Sequence, residues 1–140
     1  MSIKIIKQYL KELSIISPNS PEVFTKSQNN KPDIQISIDI DAKKLSDLAY
    51  EVTLKIKAEA DSGKLFKIFS NYAGIFTFDE NDAKEDLGKT LLIDCPNLLF
   101  PFLRNIISSI TTDSGFSALM LDPIDFQALY EKRKESITVN

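Results

Sequence analysis

The chain has 140 residues, of which 43% are hydrophobic and 26% charged, and its formal net charge is −3. This composition predicts a single globular domain, 1–140, and excludes a disordered chain. Without His and with one Cys, Cys95, the sequence excludes His-dependent catalysis, imidazole metal sites and an internal disulfide. Mild acidity argues against a nucleic-acid partner. We expect a short N-terminal extension, about 1–6, and a short C-terminal tail, about 135–140.

The first predicted element is a strand from Ile3 to Ile16. Its inward positions are expected to be Tyr9, Leu13 and Ile15. The segment 17–21, with two prolines between small polar residues, then predicts a turn.

The next two strands give the clearest local signal, because apolar residues alternate strictly with polar ones. The apolar positions of the first are Ile34, Ile36, Ile38 and Ile40. Those of the second are Tyr50, Val52, Leu54 and Ile56. One apolar and one polar face are typical of an antiparallel sheet with one solvated side.

A fourth strand is predicted from about Leu65 to Phe78, and it carries aromatic residues on both faces. Phe66 and Tyr72 share one face, whereas Phe69 lies on the other. A strand apolar on both sides in so small a chain indicates that a partner subunit covers one side.

After the acidic loop Asp79–Asp86 the apolar spacing changes to three and four, which predicts a helix. Its apolar positions are Leu98, Leu99, Phe102, Leu103, Ile106, Ile107 and Ile110. Pro96 or Pro101 is expected at the first helical position, and Gly115 is expected to end the helix.

A second helix is predicted to begin at Asp122-Pro123 and to run to about Lys134, with Phe126, Leu129 and Tyr130 on one side. Four strands followed by two helices predict an α+β domain: a four-stranded antiparallel sheet with both helices packed on one face.

Few residues suggest chemistry. Asp39 and Asp41 share the polar face of a strand, where a solvated surface is more plausible than a catalytic pair. The loop Asp79–Asp86 lacks the spacing of a calcium loop. Cys95, in an apolar context before Pro96, is expected to be a buried, inert thiol. We therefore expect no enzymatic activity, no cofactor and no bound metal.

The longest apolar run, Leu98–Leu103, is far shorter than a membrane-spanning helix of about 20 residues. No signal peptide is evident at the start of the chain. We expect a cytoplasmic protein without direct membrane insertion.

Cys95–Arg104 reads CPNLLFPFLR, and this segment resembles the signature CPNILFPYAR of the bacterial export chaperone family SecB. Tyr72–Phe76 resembles the [AG]-G-I-F segment of the same family. Gly115–Phe126 resembles GFPxLxLxPIDF. Residues 17–24 resemble APNAPxVF, and Tyr50–Val52 matches YEV. The matches follow the family order and spacing from about Tyr9 to Tyr130.

The resemblance implies a fold, an assembly and an activity. SecB-like proteins form a four-stranded antiparallel sheet with two helices on one face, and they assemble as tetramers, dimers of dimers. They hold unfolded precursor proteins without ATP and deliver them to the SecA motor for export. The resemblance also implies a client groove at Ile34, Ile36, Ile38 and Tyr130. A family aromatic, often Trp, falls near Asn30.

SecA docking in the family uses acidic residues on the open sheet face, and one of them matches Glu12. Two others fall on Ile16 and Phe69, where the acid is absent. The candidates for contacts between subunits are Leu65, Phe69, Tyr72, Phe102 and Ile106.

Two alternatives stay open at this point. One is a SecB-like chaperone dedicated to a single client, as in toxin–antitoxin systems. The other is a small-molecule-binding or enzymatic α+β domain, which would need a polar cluster in a pocket that the sequence does not display.

Overall fold

The computed structural model describes residues 3–26, 31–80 and 86–138, and side chains as far as residue 133. Asn30 and residues 81–85 of the acidic loop lie outside the described residues. The sheet strands are β1 (Ile3–Ile16), β2 (Ile34–Ser46), β3 (Ala49–Ala60) and β4 (Phe66–Phe78). The helices are α1 (Glu22–Thr25), α2 (Leu87–Lys89), α3 (Cys95–Asp113) and α4 (Phe126–Thr138), with a π-helical segment, Thr90–Asp94, between α2 and α3.

The four strands form one sheet in the order β1-β4-β3-β2, and every neighbouring pair is antiparallel. This confirms the predicted fold class. The first strand pairs with the last one, so β1 and β2 form the two edges of the sheet. Because β1 begins at Ile3 and α4 continues to Thr138, the extension and tail expected at 1–6 and 135–140 are largely part of these elements.

One face of the sheet, the helix face, carries the core. Alternate residues of β3 and β4 are fully enclosed there, including Leu54, Ile56, Ile68 and Phe76. Ser70 also lies on this face, and its buried hydroxyl donates to the carbonyl oxygen of Ile56 at 2.8 Å. The opposite face, the open face, is covered by no other element among the described residues.

Strand β1 corrects one predicted inward position. Its pairing with β4 is irregular between Ile5 and Lys7 and again between Leu10 and Glu12. A bulge of this kind reverses the alternation of side chains beyond it. Leu13 therefore packs against the core as predicted, whereas Tyr9 turns to the open face and hydrogen-bonds Glu51.

The first long helix begins earlier than its apolar spacing suggested. Helical backbone starts at Leu87, and Pro96 lies near the first position of α3 while Pro101 lies inside it. Gly74 of β4 lets α3 approach closely, because an added Cβ would lie 2.9 Å from Phe76 and 3.0 Å from Leu99. A small residue in the resemblance segment Tyr72–Phe76 therefore has a packing role.

Helix α3 ends as predicted, at Gly115, which has φ of +95° and follows the last turn. The Phe116 amide then donates to the Thr111 carbonyl at 3.0 Å. The buried hydroxyl oxygen of Thr111 also accepts from the Leu119 amide at 2.9 Å. These bonds fix the start of the connection to α4.

Helix α4 begins three residues later than predicted, with Phe126 rather than Pro123 as its first residue. Its N-cap is Asp125, whose Oδ1 accepts from the Ala128 amide at 3.0 Å. Asp122 is exposed and lies in extended chain.

The helical stretch Leu87–Asp113 is long and apolar enough to cross a membrane by length and composition. This is weak evidence for a span, because 44% of its most apolar window is buried inside the fold. Leu99, Leu103 and Ile107 of this stretch are fully enclosed against the sheet, as in the core helix of a soluble protein.

Candidate functional site

A groove of about 330 Å³ lies between the edge strand β2, the π-helical segment and α4. Its lining residues come from all three elements: Ile38, Asp39, Ile40, Leu92, Leu129, Tyr130 and Arg133. Apolar walls with a few polar groups at the rim are the usual make-up of a binding cleft.

A second, more open space of about 600 Å³ continues on the other side of α4. Ile38 and Leu129 line both spaces, so the two spaces adjoin at these side chains. Ile124 and Ala128 add apolar surface to the second space, and Glu131 lies at its border. The two spaces together are called the client groove, after the groove that the family resemblance implies.

The local structure explains how the groove stays open. Ile38 lies on an edge strand, so no further strand covers it, and it is half-buried. The π-helical segment adds one residue per turn relative to an α-helix and brings Leu92 to the groove. Tyr130 lies beside Gly88, where an added Cβ would be 3.9 Å from the phenol oxygen.

Two contacts of helix α4 with the rest of the fold are well defined among the described side chains. Near its start, Phe126 is 1% exposed and packs edge-on against Phe100, with ring centroids 6.2 Å apart. Further along, Arg133 Nη1 donates to the carbonyl oxygen of Ile40 at 3.0 Å. Among the described side chains, this hydrogen bond joins α4 to the sheet.

The structure brings together part of the groove implied by the resemblance. Ile38 and Tyr130 line the same cavity. Ile34 and Ile36 follow along the same face of β2, and Ile36 is 38% exposed. The contribution expected near Asn30 lies outside the described residues.

Leu92 and Arg133 are among the groove residues that sequence reasoning missed. Leu92 precedes the predicted helix and belongs to the π-helical segment. Arg133 falls near the predicted end of the second helix, and only the fold shows that it reaches β2. Leu129 was placed on the apolar side of α4, which was a partial signal.

The residues implied for motor docking share the open face. Glu12 is exposed and accepts from Asn71 Nδ2 at 3.1 Å. Phe69 is 37% exposed, with Lys57 Nζ 5.3 Å from its ring centroid. Ile16 is 51% exposed near the end of β1.

Ion pairs reduce the net negative charge of the open face. Lys55 contacts Asp41 at 2.6 Å, which raises the pKa of the lysine, and Lys57 contacts Glu59 at 3.1 Å. Because such pairs are exposed, they contribute little to stability. They do balance the carboxylates, so this face presents mixed charge.

Near β1, Glu51 accepts from Tyr9 and contacts Lys11 at 3.1 Å. The tyrosine hydrogen bond, followed by Lys11, lowers the pKa of Glu51. Burial and the bond to Glu51 raise the pKa of Tyr9 to about 12. At neutral pH the pair is therefore a neutral phenol donating to a carboxylate.

The candidates for subunit contacts lie in different places. Leu65 is buried in the core of the single chain. Tyr72 stacks on Phe102, with centroids 6.3 Å apart, and Phe102 is 50% exposed. Ile106 is partly buried on the same helix, whereas Phe69 lies on the open face.

Cys95 is fully buried, and burial together with the nearby Asp94 raises the pKa of its thiol to about 12. The thiol is thus protonated at neutral pH, as expected for a structural cysteine. The described residues contain no cluster of His, Cys, Asp and Glu that would hold a metal ion.

Comparison with known proteins gives consistent matches. The family model "Preprotein translocase subunit SecB" matches residues 1–136. The protein-export protein SecB of Rhodopseudomonas palustris (strain BisB5) is 42% identical over 135 residues, which are 95% of this chain and 84% of that protein. The SecB of Paramagnetospirillum magneticum is 41% identical over 94% of this chain and 84% of its own length.

A solved structure supports the fold. The SecB-like chaperone Rv1957 of Mycobacterium tuberculosis, in complex with a ChAD peptide from the antitoxin HigA1, has a TM-score of 0.65 and 13% identity. The match covers 87% of each chain. Given the family match over nearly the whole sequence, this chain belongs to the SecB family.

Proposed function

We propose that this protein is an ATP-independent chaperone that holds unfolded precursor proteins competent for export. Family membership supports this function, and the observation that carries it is the client groove beside β2. Ile38, Leu129 and Tyr130 remain only half-buried there. An unfolded client that covers such surface gains roughly 25 cal/mol per Å² of apolar area removed from water.

The mechanism needs no catalytic group. Apolar contacts are not directional, so one groove accepts many sequences and selects for the unfolded state. A folded protein has buried its apolar segments and offers nothing to the groove. Release follows when the client folds or is taken over by a partner. In this proposal the protein has no enzymatic activity and acts in the cytoplasm.

The proposed assembly is a homotetramer, a dimer of dimers. Exposed apolar residues support contact with a second copy: Leu98 is 42% and Phe102 50% exposed on α3, and Leu10 is 42% exposed on β1. An exposed cluster of this kind marks an interaction surface. Several grooves on one assembly then engage one long client with avidity.

A refolding experiment tests the holdase function. A slow-folding, unrelated precursor should refold more slowly when this protein is added without nucleotide. Ile38→Asp places a charge in the groove and should abolish the delay, while Ser37→Asp places the same charge on the open face and should retain it. Refolding at an unchanged rate with the native protein would reject the proposal.

We also propose delivery to the SecA motor through the open face. Glu12→Ala should weaken binding to SecA several-fold and leave the refolding delay intact, because Glu12 lies away from the groove. Glu22→Ala, an exposed acid on α1, is the control for lost charge. Equal affinities for SecA would show that docking uses other residues. Recovery of a single client from cells, instead of many precursors, would favour a dedicated chaperone.

A further inference from the structure

Among the residues that the structure describes, no strand pairs with the outer edge of β2, which lies beside the groove. The amide of Asp61 donates to the carbonyl of Asp33 at 2.8 Å, so Asp33 is directed toward β3. In an antiparallel pair the direction alternates, so the backbone groups of the even-numbered residues point outward, away from β3. These residues are Ile34, Ile36, Ile38 and Ile40.

Arg133 forms a hydrogen bond with one of these outward-pointing backbone groups. Its Nη1 reaches the Ile40 carbonyl from α4, which agrees with the alternation. At this point of the edge, a side chain takes the place that a neighbouring strand would otherwise take. Within the described part of the chain, no carboxylate forms an ion pair with Arg133, so the guanidinium is held on β2 through this carbonyl bond.

The same bond holds α4 over the groove. Phe126 fixes the start of α4 in the core, whereas Arg133, two turns later, is exposed. Between these two points, Leu129 and Tyr130 lie over the groove. Among the described side chains of this half of α4, loss of the bond at Ile40 would leave the partly buried apolar contacts of Leu129 and Tyr130.

We propose that Arg133 is a displaceable cap on the edge of β2, which competes with the backbone of a bound client for the Ile40 carbonyl. The inference rests on the proposed holdase function. The occupant is an extended, unfolded segment whose amides donate to the outward carbonyls of β2, in the manner of strand addition. The apolar side chains of the client enter the groove. Arg133 lowers the client's affinity, because the client must displace it from the Ile40 carbonyl to pair fully with β2.

Arg133→Met tests the cap, because methionine keeps an unbranched apolar stem and removes every donor. The probe is an unstructured fluorescent peptide rich in Leu and Phe, and the readout is anisotropy. The variant should bind the peptide about 2- to 10-fold tighter than the native protein does. This factor corresponds to the one hydrogen bond, from Arg133 to Ile40, that the peptide no longer has to displace. Arg133→Lys, which keeps a donor, should lie between the two. Lys26→Met, a matched loss of charge on α1's exposed end, should bind like the native protein.

A second peptide separates backbone pairing from a general gain in access. It has the same sequence with N-methyl groups at alternate residues, which cannot donate. The tighter binding of Arg133→Met should disappear with it. The proposal would be overturned if Arg133→Met bound the unmethylated peptide no more tightly than the native protein does. It would also be overturned if the variant bound the N-methylated peptide more tightly than the native protein does. Failure of the native protein to bind the peptide would instead count against the holdase function.

Discussion

Helices α3 and α4 lie on the same face of the sheet but bury it to different extents. Helix α3 encloses Leu99, Leu103 and Ile107 completely and comes close enough at Gly74 to leave no room for a Cβ. Helix α4 buries Phe126 and leaves Leu129 half-exposed over the groove. One end of the face is thus a dry core, and the other is an accessible apolar surface.

The difference shows how a small domain keeps an apolar binding surface without losing its fold. Stability comes from the interface between α3 and the central strands β3 and β4. The edge strand β2 and α4 are then free to pack incompletely. The predictions below test this division, from the largest expected effect to the smallest.

The reactivity of the Cys95 thiol measures how well water is excluded from the core beneath α3. Its pKa lies near 12 in the fold against an ordinary 9.0, so a thiol reagent at pH 8 should react about a thousandfold more slowly than in the unfolded chain. Since the folded pKa is raised, this group leaves stability unchanged below pH 9 and lowers it between pH 9 and 12. Rapid labelling of the native protein would show that the core opens there.

Leu103→Ala should lower the free energy of unfolding by about 2–5 kcal/mol, because it leaves a cavity under α3. Chemical denaturation followed by circular dichroism measures the change. The matched control is Leu98→Ala on the exposed side of α3, which should cost far less. Similar costs for both would contradict the assignment of the core.

Gly74→Ala should cost about 1–3 kcal/mol, because the new methyl group meets Leu99 and Phe76 within the packed interface. Gly88→Ala is a suitable control, since its nearest neighbour would be 3.9 Å away. Thermal unfolding distinguishes the two. Equal melting temperatures would mean that α3 can shift away from β4 without a loss of stability.

Leu129→Ala should change stability by less than about 1.5 kcal/mol, because its side chain is only half-buried. The same change removes a side chain that lines both spaces of the groove and should alter the affinity for an unfolded client. Denaturation and peptide titration measure the two effects. A stability loss as large as that of Leu103→Ala would place α4 in the essential core.

The sequence was sufficient for the sheet and for the apolar side of α3, because alternation and helical spacing are local consequences of burial. It could not place Tyr9, since bulges in β1 depend on how that strand meets β4. It also missed the π-helical turn that delivers Leu92, and the reach of Arg133 across to β2. These features depend on contacts between elements distant in the chain.

Ile38 and Tyr130, which the resemblance assigns to one groove, line the same cavity, but the resemblance did not distinguish open from closed parts of the helix face. That distinction follows from how deeply each helix packs. The assignment of Leu65 and Tyr72 to subunit contacts meets the same difficulty, because both are largely enclosed within the single chain.

The division of the groove into two adjoining spaces, both lined by Ile38 and Leu129, has a kinetic consequence. A polypeptide that lies in both spaces contacts the protein at two places, and each half can detach while the other stays bound. While one half is held, the other remains at a high local concentration and rebinds quickly. Complete escape then requires two detachments in succession, so individual contacts are short-lived although the chain as a whole stays bound. Such a client remains available to a motor that pulls on whichever end is momentarily free.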